Sequence, residues 1–278
     1  MKILISTLFA IASTAAFALP NAPFNALKMD LNQAPDNYDY EGIIKLSNCS
    51  GSLIKFAGQP SSSNAYVLTN GHCLGRPFLK PGEAVVNKPT SRSMKVANSA
   101  GKYFRVQARE LVYGTMTGTD SAIYELVETY DDIAKLGIEP LDFDASRPYA
   151  GMPIEVISGY WERGYSCSID GFVYKLEEAG WTWNDSIRYS EPGCDTIGGT
   201  SGSPIIEKGT RVVVGINNTS NESGKRCEMN NPCEVSSNGD VEVKAGYSYG
   251  QQTYNFYSCL TADFRIDTTM PGCELVKP

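Results

Sequence analysis

The chain has 278 residues, 42% hydrophobic and 20% charged, with a formal net charge of −7 and a single histidine. That length and apolar content suffice for a sizeable core in one or two domains. The acidic balance argues against nucleic acid or an anionic membrane surface as partner, since both demand clustered positive charge. One histidine and no Cys-x-x-Cys pair argue against a structural zinc site.

The N-terminus reads Met1-Lys2 followed by "ILISTLFAIASTAAFA". A basic start, a short apolar run and a small-residue ending form a secretory signal, residues 1–18, cut before Leu19. The run is too short for the ~20 residues of a membrane-spanning helix. An exported protein, secreted or periplasmic, is therefore expected, and its eight cysteines are expected to form disulfides. Residues 19–40 are rich in Pro and Asn without periodicity, and read as an N-terminal arm or propeptide.

From Gly42 the chain breaks into short β-branched and aromatic runs separated by Gly, Asn, Asp and Ser. The first six are "GIIKL", "SGSLIKF", "AYVLTN", "EAVVN", "YFRVQARELVY" and "SAIYELV". A break, "AKLGIEPLDFDASRPYAG", precedes six more: "PIEVISGY", "YSCSIDGFVYKL", "SIRYS", "SPIIE", "RVVVGINN" and "VEVKAGYSY". Residues 219–240 read as a polar, disulfide-pinned loop. Helical periodicity is absent apart from a short stretch near the C-terminus. The expected architecture is all-β, two six-stranded antiparallel barrels within 41–278: the first over about 41–135, the second over about 150–278.

Three short motifs stand at the edges of expected strands. The only histidine, His72, lies in "VLTNGHC", Asp120 opens "DSAIYEL", and Ser201 sits in "GGTSGSP". Taken singly, each has a bland explanation: a surface histidine, a strand-start aspartate, a flexible Gly/Ser turn. Their order is more informative. An α/β-hydrolase runs serine, acid, histidine, and the subtilisin order begins with the acid; the order His, Asp, Ser belongs to two-barrel β proteases.

The chain resembles the trypsin/chymotrypsin family of serine endopeptidases, and its Ser201 region is most similar to the bacterial glutamyl-endopeptidase branch. "CSGSLI" with "VLTNGHC", "DSAIYEL", "VISGY" and "GGTSGSP" carry the resemblance across roughly 42–260. It implies a chymotrypsin-like fold with the active site between the barrels, a monomer acting on protein or peptide substrates, and no cofactor or metal. Ser201 would attack the peptide carbonyl, His72 would take and return the proton, and Asp120 would orient the imidazole. The N–H groups of Gly199 and Ser201 would form the oxyanion hole.

The resemblance also implies the pair Cys49–Cys73. Closeness in sequence suggests Cys227–Cys233 and Cys259–Cys273, leaving Cys167–Cys194. Asp195, six residues before Ser201, falls where the family places the base of the specificity pocket and would suit Arg or Lys before the cut; Asn217, Asn218 and Gly250 are candidates for the pocket wall. Two alternatives stay open: cleavage after Glu, and a catalytically inactive secreted binding protein on the same scaffold. Where animal digestive enzymes carry an acid that pairs with a freshly cut N-terminus, this chain has Thr200. A neutral hydroxyl cannot hold a buried ammonium, so the glycine loop is expected to be ordered by local hydrogen bonds.

Overall fold

The computed structural model describes residues 38–278; the expected signal, residues 1–18, and most of the expected N-terminal arm lie outside them. Sixteen strands follow in chain order: β1 Ile43–Lys45, β2 Ser50–Phe56, β3 Asn64–Thr69, β4 Ala84–Pro89, β5 Ser93–Ala97, β6 Tyr103–Thr115, β7 Ser121–Thr129, β8 Leu141–Phe143, β9 Pro153–Ser158, β10 Arg163–Glu178, β11 Trp181–Tyr189, β12 Pro204–Glu207, β13 Val212–Ser220, β14 Cys233–Val235, β15 Val241–Glu242 and β16 Ser248–Gln252. One helical turn, α1 Tyr130–Ala134, is closed by a Thr129–Asp132 capping box.

The pairings make two closed rings. β1, β5, β6, β7, β3 and β2 form the first, closed by β1 on β2; β13, β12, β9, β10, β11 and β16 form the second, closed by β13 on β16. Each ring is antiparallel, and β8 bridges them, running parallel to both β2 and β13. Closure removes the exposed edges that an open sheet would present. No helix among the described residues is long and apolar enough to cross a membrane.

Side-chain alternation explains how the rings share their cores. In β2 and β3, Leu53, Ala65 and Val67 pack inside the first barrel, whereas the alternate residues Ile54, Phe56, Tyr66 and Leu68 face a second cluster. That second cluster unites the barrels: Phe143 of β8, Ile157 of β9, Ile216 of β13 and Phe256 of the C-terminal 3-10 turn Tyr254–Cys259 all join it. A third cluster, including Ile154, Val156, Tyr189 and Ile205, fills the second barrel.

The structure corrects three strand expectations. "EAVVN" (β4) pairs only with β6 and lies off the first ring; its place is taken by "SMKVA" (β5). Met94 and Val96 of β5 are buried and Lys95 is exposed, an alternation too short and too poor in β-branched residues to stand out. "VEVKAGYSY" is two strands, β15 pairing with β14 while β16 closes the second barrel. The break holds the three-residue strand β8, whose partners are far away in sequence, and the polar loop holds β14, which pairs with distant β10 as well as with β15. The disulfides are Cys49–Cys73, Cys167–Cys194, Cys227–Cys233 and Cys259–Cys273, the four pairs expected above.

Candidate active site

Antiparallel pairing of β3 with β7 explains how His72 and Asp120 meet. Thr69 at the end of β3 lies opposite Ala122 at the start of β7, so the residues just beyond those two ends must converge. Gly71 lets them do so, because a Cβ there would stand 1.9 Å from the Thr115 carbonyl oxygen. His72 then opens a 3-10 turn, His72–Leu74, and the Cys49–Cys73 disulfide ties that turn to the start of β2.

Asp120 is fully buried and His72 half-buried. One carboxylate oxygen accepts the His72 backbone N–H at 3.0 Å; the other lies 2.8 Å from Nδ1. Asn70 donates its side-chain amide to the Asp120 carbonyl at 2.7 Å, fixing the acid's backbone as well. This arrangement puts the Nδ1 proton toward the carboxylate and leaves Nε2 as the basic nitrogen. Burial disfavours the imidazolium, but attraction to Asp120, the hydrogen bond with it and the Glu178 carboxylate prevail and hold His72 above its ordinary 6.5.

Ser201 comes from the loop ahead of β12. Gly202 N–H donates to the Asn217 carbonyl and Asn217 N–H to the Ser203 carbonyl, so the β12–β13 ladder continues into the loop. Ser50 N–H donates to the Ser201 carbonyl at 2.8 Å and anchors the loop on β2 of the other barrel. Gly202 takes φ +80°, and a Cβ there would lie 2.2 Å from the Ser50 oxygen. Thr200 is buried; its N–H and hydroxyl donate to the Ile197 carbonyl, and its hydroxyl accepts from the Asn217 side chain at 3.1 Å. Local bonds thus order the loop around a neutral threonine.

His72, Asp120 and Ser201 line one cavity. The Ser201 hydroxyl donates to the Asn218 carbonyl at 3.3 Å. Asn217 and Asn218 also line the cavity, with Asn217 held between Thr200 and the Tyr189 hydroxyl. Asp195 and Gly250 do not. Asp195 lies outside that lining; its charge adds to burial, the larger cause, in pushing the Tyr165 phenol up to about 12. A Cβ on Gly250 would meet Ile205, Ile216 and Tyr189, so this glycine serves barrel packing rather than the pocket.

Two residues at the site carry no motif, and of these Glu178 lines the cavity. Glu178, at the end of β10, is nearly fully buried and accepts from the Thr219 hydroxyl at 2.6 Å and the Asn230 N–H at 2.8 Å. Burial raises its pKa, against those hydrogen bonds and the pull of His72. Trp161 meets the glycine loop from outside, donating its indole N–H to the Gly198 carbonyl at 2.8 Å. Both arrive through long-range packing, and neither has a local signal in the chain.

Two closed barrels whose loops meet across one cleft define a chymotrypsin-like serine-protease scaffold. The chain belongs to the trypsin-like peptidase domain family, whose profile matches residues 49–216. Among solved structures, the MamO protease domain from Magnetospirillum magneticum aligns with TM-score 0.50 at 14% identity, over 81% of this chain and 98% of that one. Nocardiopsis protease aligns with TM-score 0.42 at 14% identity, over 77% and 93% of the two chains. A glutamic acid specific serine protease gives TM-score 0.41 at 16% identity, over 76% and 91%. At 14% identity the likeness to the MamO protease domain is one of fold alone. No curated protein matches the sequence significantly.

Proposed function

We propose that the protein is an exported serine endopeptidase working through an acyl-enzyme. The observation that carries this reading is the buried Asp120 carboxylate gripping both the backbone N–H and Nδ1 of His72, in the cavity that Ser201 also lines. When substrate enters, the Ser201 hydroxyl exchanges the Asn218 carbonyl for His72 Nε2. Its oxygen bonds to the scissile carbonyl carbon as the proton passes to the imidazole. The imidazolium then protonates the amine, the C–N bond breaks, and water repeats the sequence to free the acid. The Gly199 and Ser201 N–H groups stabilise the oxyanion.

The preferred residue before the cut is Arg or Lys, on a different basis from the one first expected. Asp195 lies outside the cavity lining, but Glu178 lies in it and forms no ion pair among the described residues. A buried carboxylate without a cation is costly, and a substrate guanidinium or ammonium would relieve that cost. The exposed Arg76 and Glu222, of opposite charge, also line the cavity.

A catalytically silent binding protein is the reading that the Ser201–Asn218 hydrogen bond would favour. A fluorophosphonate probe separates the two. Labelling of the wild type but not of Ser201→Ala is expected; absence of labelling in folded wild-type protein would refute the peptidase reading. A cleavage profile on a peptide library tests specificity, and rapid cleavage after Glu with none after Arg or Lys would overturn it.

A further inference from the structure

Gly199 has φ +94°, and three groups crowd the position its Cβ would take: the indole nitrogen of Trp161 at 2.8 Å and two Tyr160 ring carbons at 2.9 and 3.1 Å. Tyr160 and Trp161 pack edge to face, their ring centroids 5.0 Å apart. They follow β9 after one residue, Gly159, and the strand's last residue, Ser158, bonds through its hydroxyl to Ser50 at 3.0 Å. The Tyr160 backbone N–H donates to the same Ser50 hydroxyl at 3.1 Å. The aromatic pair is therefore fixed to both barrels before it touches the glycine loop.

A trans peptide is planar, and its C=O and N–H point in opposite directions. Whatever binds a carbonyl thereby aims the next residue's N–H the other way. Ser203 N–H holds the Thr200 carbonyl at 3.0 Å, which directs the Ser201 N–H away from that turn. The Trp161 indole holds the Gly198 carbonyl at 2.8 Å, which directs the Gly199 N–H away from Trp161. Among the described residues neither the Gly199 nor the Ser201 N–H donates to another group, so both stay available for a ligand oxygen. The first lock is backbone to backbone within the turn. The second is a single side chain from another loop, and the peptide it holds lies between two glycines with few steric limits on rotation.

We infer that Trp161 is a positioning residue for oxyanion stabilisation: its indole N–H fixes the Gly198–Gly199 peptide with the Gly199 N–H aimed at the Ser201 side of the cavity. The inference rests on the peptidase reading above. Without the indole donor, the Gly198 carbonyl loses its partner and the peptide can rotate, turning a carbonyl oxygen toward the place where negative charge develops. Trp161 touches no reacting atom in this scheme and acts only through Gly198 and Gly199.

Trp161 is 48% exposed, so replacing it leaves the core intact. Trp161→Phe keeps the ring and removes the donor; Trp161→Ala removes both. Steady-state kinetics on an amide substrate should show kcat down about 10- to 100-fold in Trp161→Phe with KM within about two-fold, somewhat less than outright loss of an oxyanion donor. Inhibition by a peptide aldehyde, whose adduct with Ser201 carries the tetrahedral oxygen, should weaken by a similar factor. Binding of the corresponding uncleaved peptide to Ser201→Ala and to the Ser201→Ala/Trp161→Phe double variant should be equal. A kcat within two-fold of wild type in both Trp161 variants would overturn the inference, as would a raised KM at unchanged kcat, which would make Trp161 a substrate contact. If the wild type itself neither turns over nor labels, the peptidase reading fails and takes this inference with it.

Discussion

The two halves of the cleft are built by different means. The His72 side is set by a charged pair in a rigid corner: Asp120 is fully buried, grips His72 twice, and is fixed through its own carbonyl by Asn70. The Ser201 side holds no charge in its glycine run, 198–204. Glycines at positive φ, a neutral Thr200, and hydrogen bonds from Ser50, Asn217 and Trp161 shape it. One half depends on a few strong, charge-assisted bonds; the other on many modest ones, each worth about 1 kcal/mol. A single substitution should therefore disable the first half chemically and merely misalign the second, except where it removes the nucleophile itself.

The largest expected effect comes from the reacting groups. Ser201→Ala or His72→Ala should each lower kcat by about 10⁶-fold, and Asp120→Asn by about 10⁴-fold through the wrong tautomer. Thermal unfolding of Ser201→Ala should match the wild type, since its hydroxyl makes one long hydrogen bond. Purified, folded Ser201→Ala with full activity would end the comparison altogether.

Next come the close approaches that seat each half. Gly71→Ala would drive a methyl to 1.9 Å from Thr115 O and 2.7 Å from Thr115 C; Gly202→Ala would drive one to 2.2 Å from Ser50 O, at φ +80°. Both obstacles are backbone, so each variant should lose about 1–3 kcal/mol of stability together with activity. Gly75→Ala, where nothing lies within 4 Å, meets only the strain of its φ of +113° and should cost less. Denaturant titration of the three variants ranks them, and equal losses would show that backbone angle rather than contact governs these sites.

The smallest effect sharpens the electrostatic half. Glu178 helps hold the His72 pKa above 6.5. A general base works unprotonated, so activity should rise with pH through that raised value, and Glu178→Gln should move the acid limb of kcat/KM to lower pH. Stability runs the other way. A folded pKa raised above the unfolded one contributes stability in full below the unfolded value, about 6.5, and loses it as pH rises through the folded value. A pH–rate profile unmoved in Glu178→Gln would place Glu178 outside the field at His72.

Much of the site was legible in the chain because its parts are local. The lone histidine, the aspartate ahead of an alternating strand and the serine among glycines each declare themselves within a few residues, and their order excludes rival hydrolase folds. The strand pattern was readable wherever β-branched residues alternate over six or more positions, as in β3 and β7. It failed at β5 and β8, which are short, and at Lys244–Tyr247, where what looked like one strand turns between β15 and β16.

The sequence by itself determined the candidate reactive groups, the all-β class and the glycine-rich setting of Ser201, because these depend on residue type and near neighbours. Tertiary structure alone decided which carboxylate enters the cleft and which side chain orients the glycine loop. Asp195 occupies the expected position along the chain, yet it stays outside the cavity lining, while Glu178, at the end of a sixteen-residue strand, is part of it. Trp161 reaches Gly198 from 37 positions away. A side chain's direction at such a distance follows from how barrels close and pack, and no local pattern encodes it.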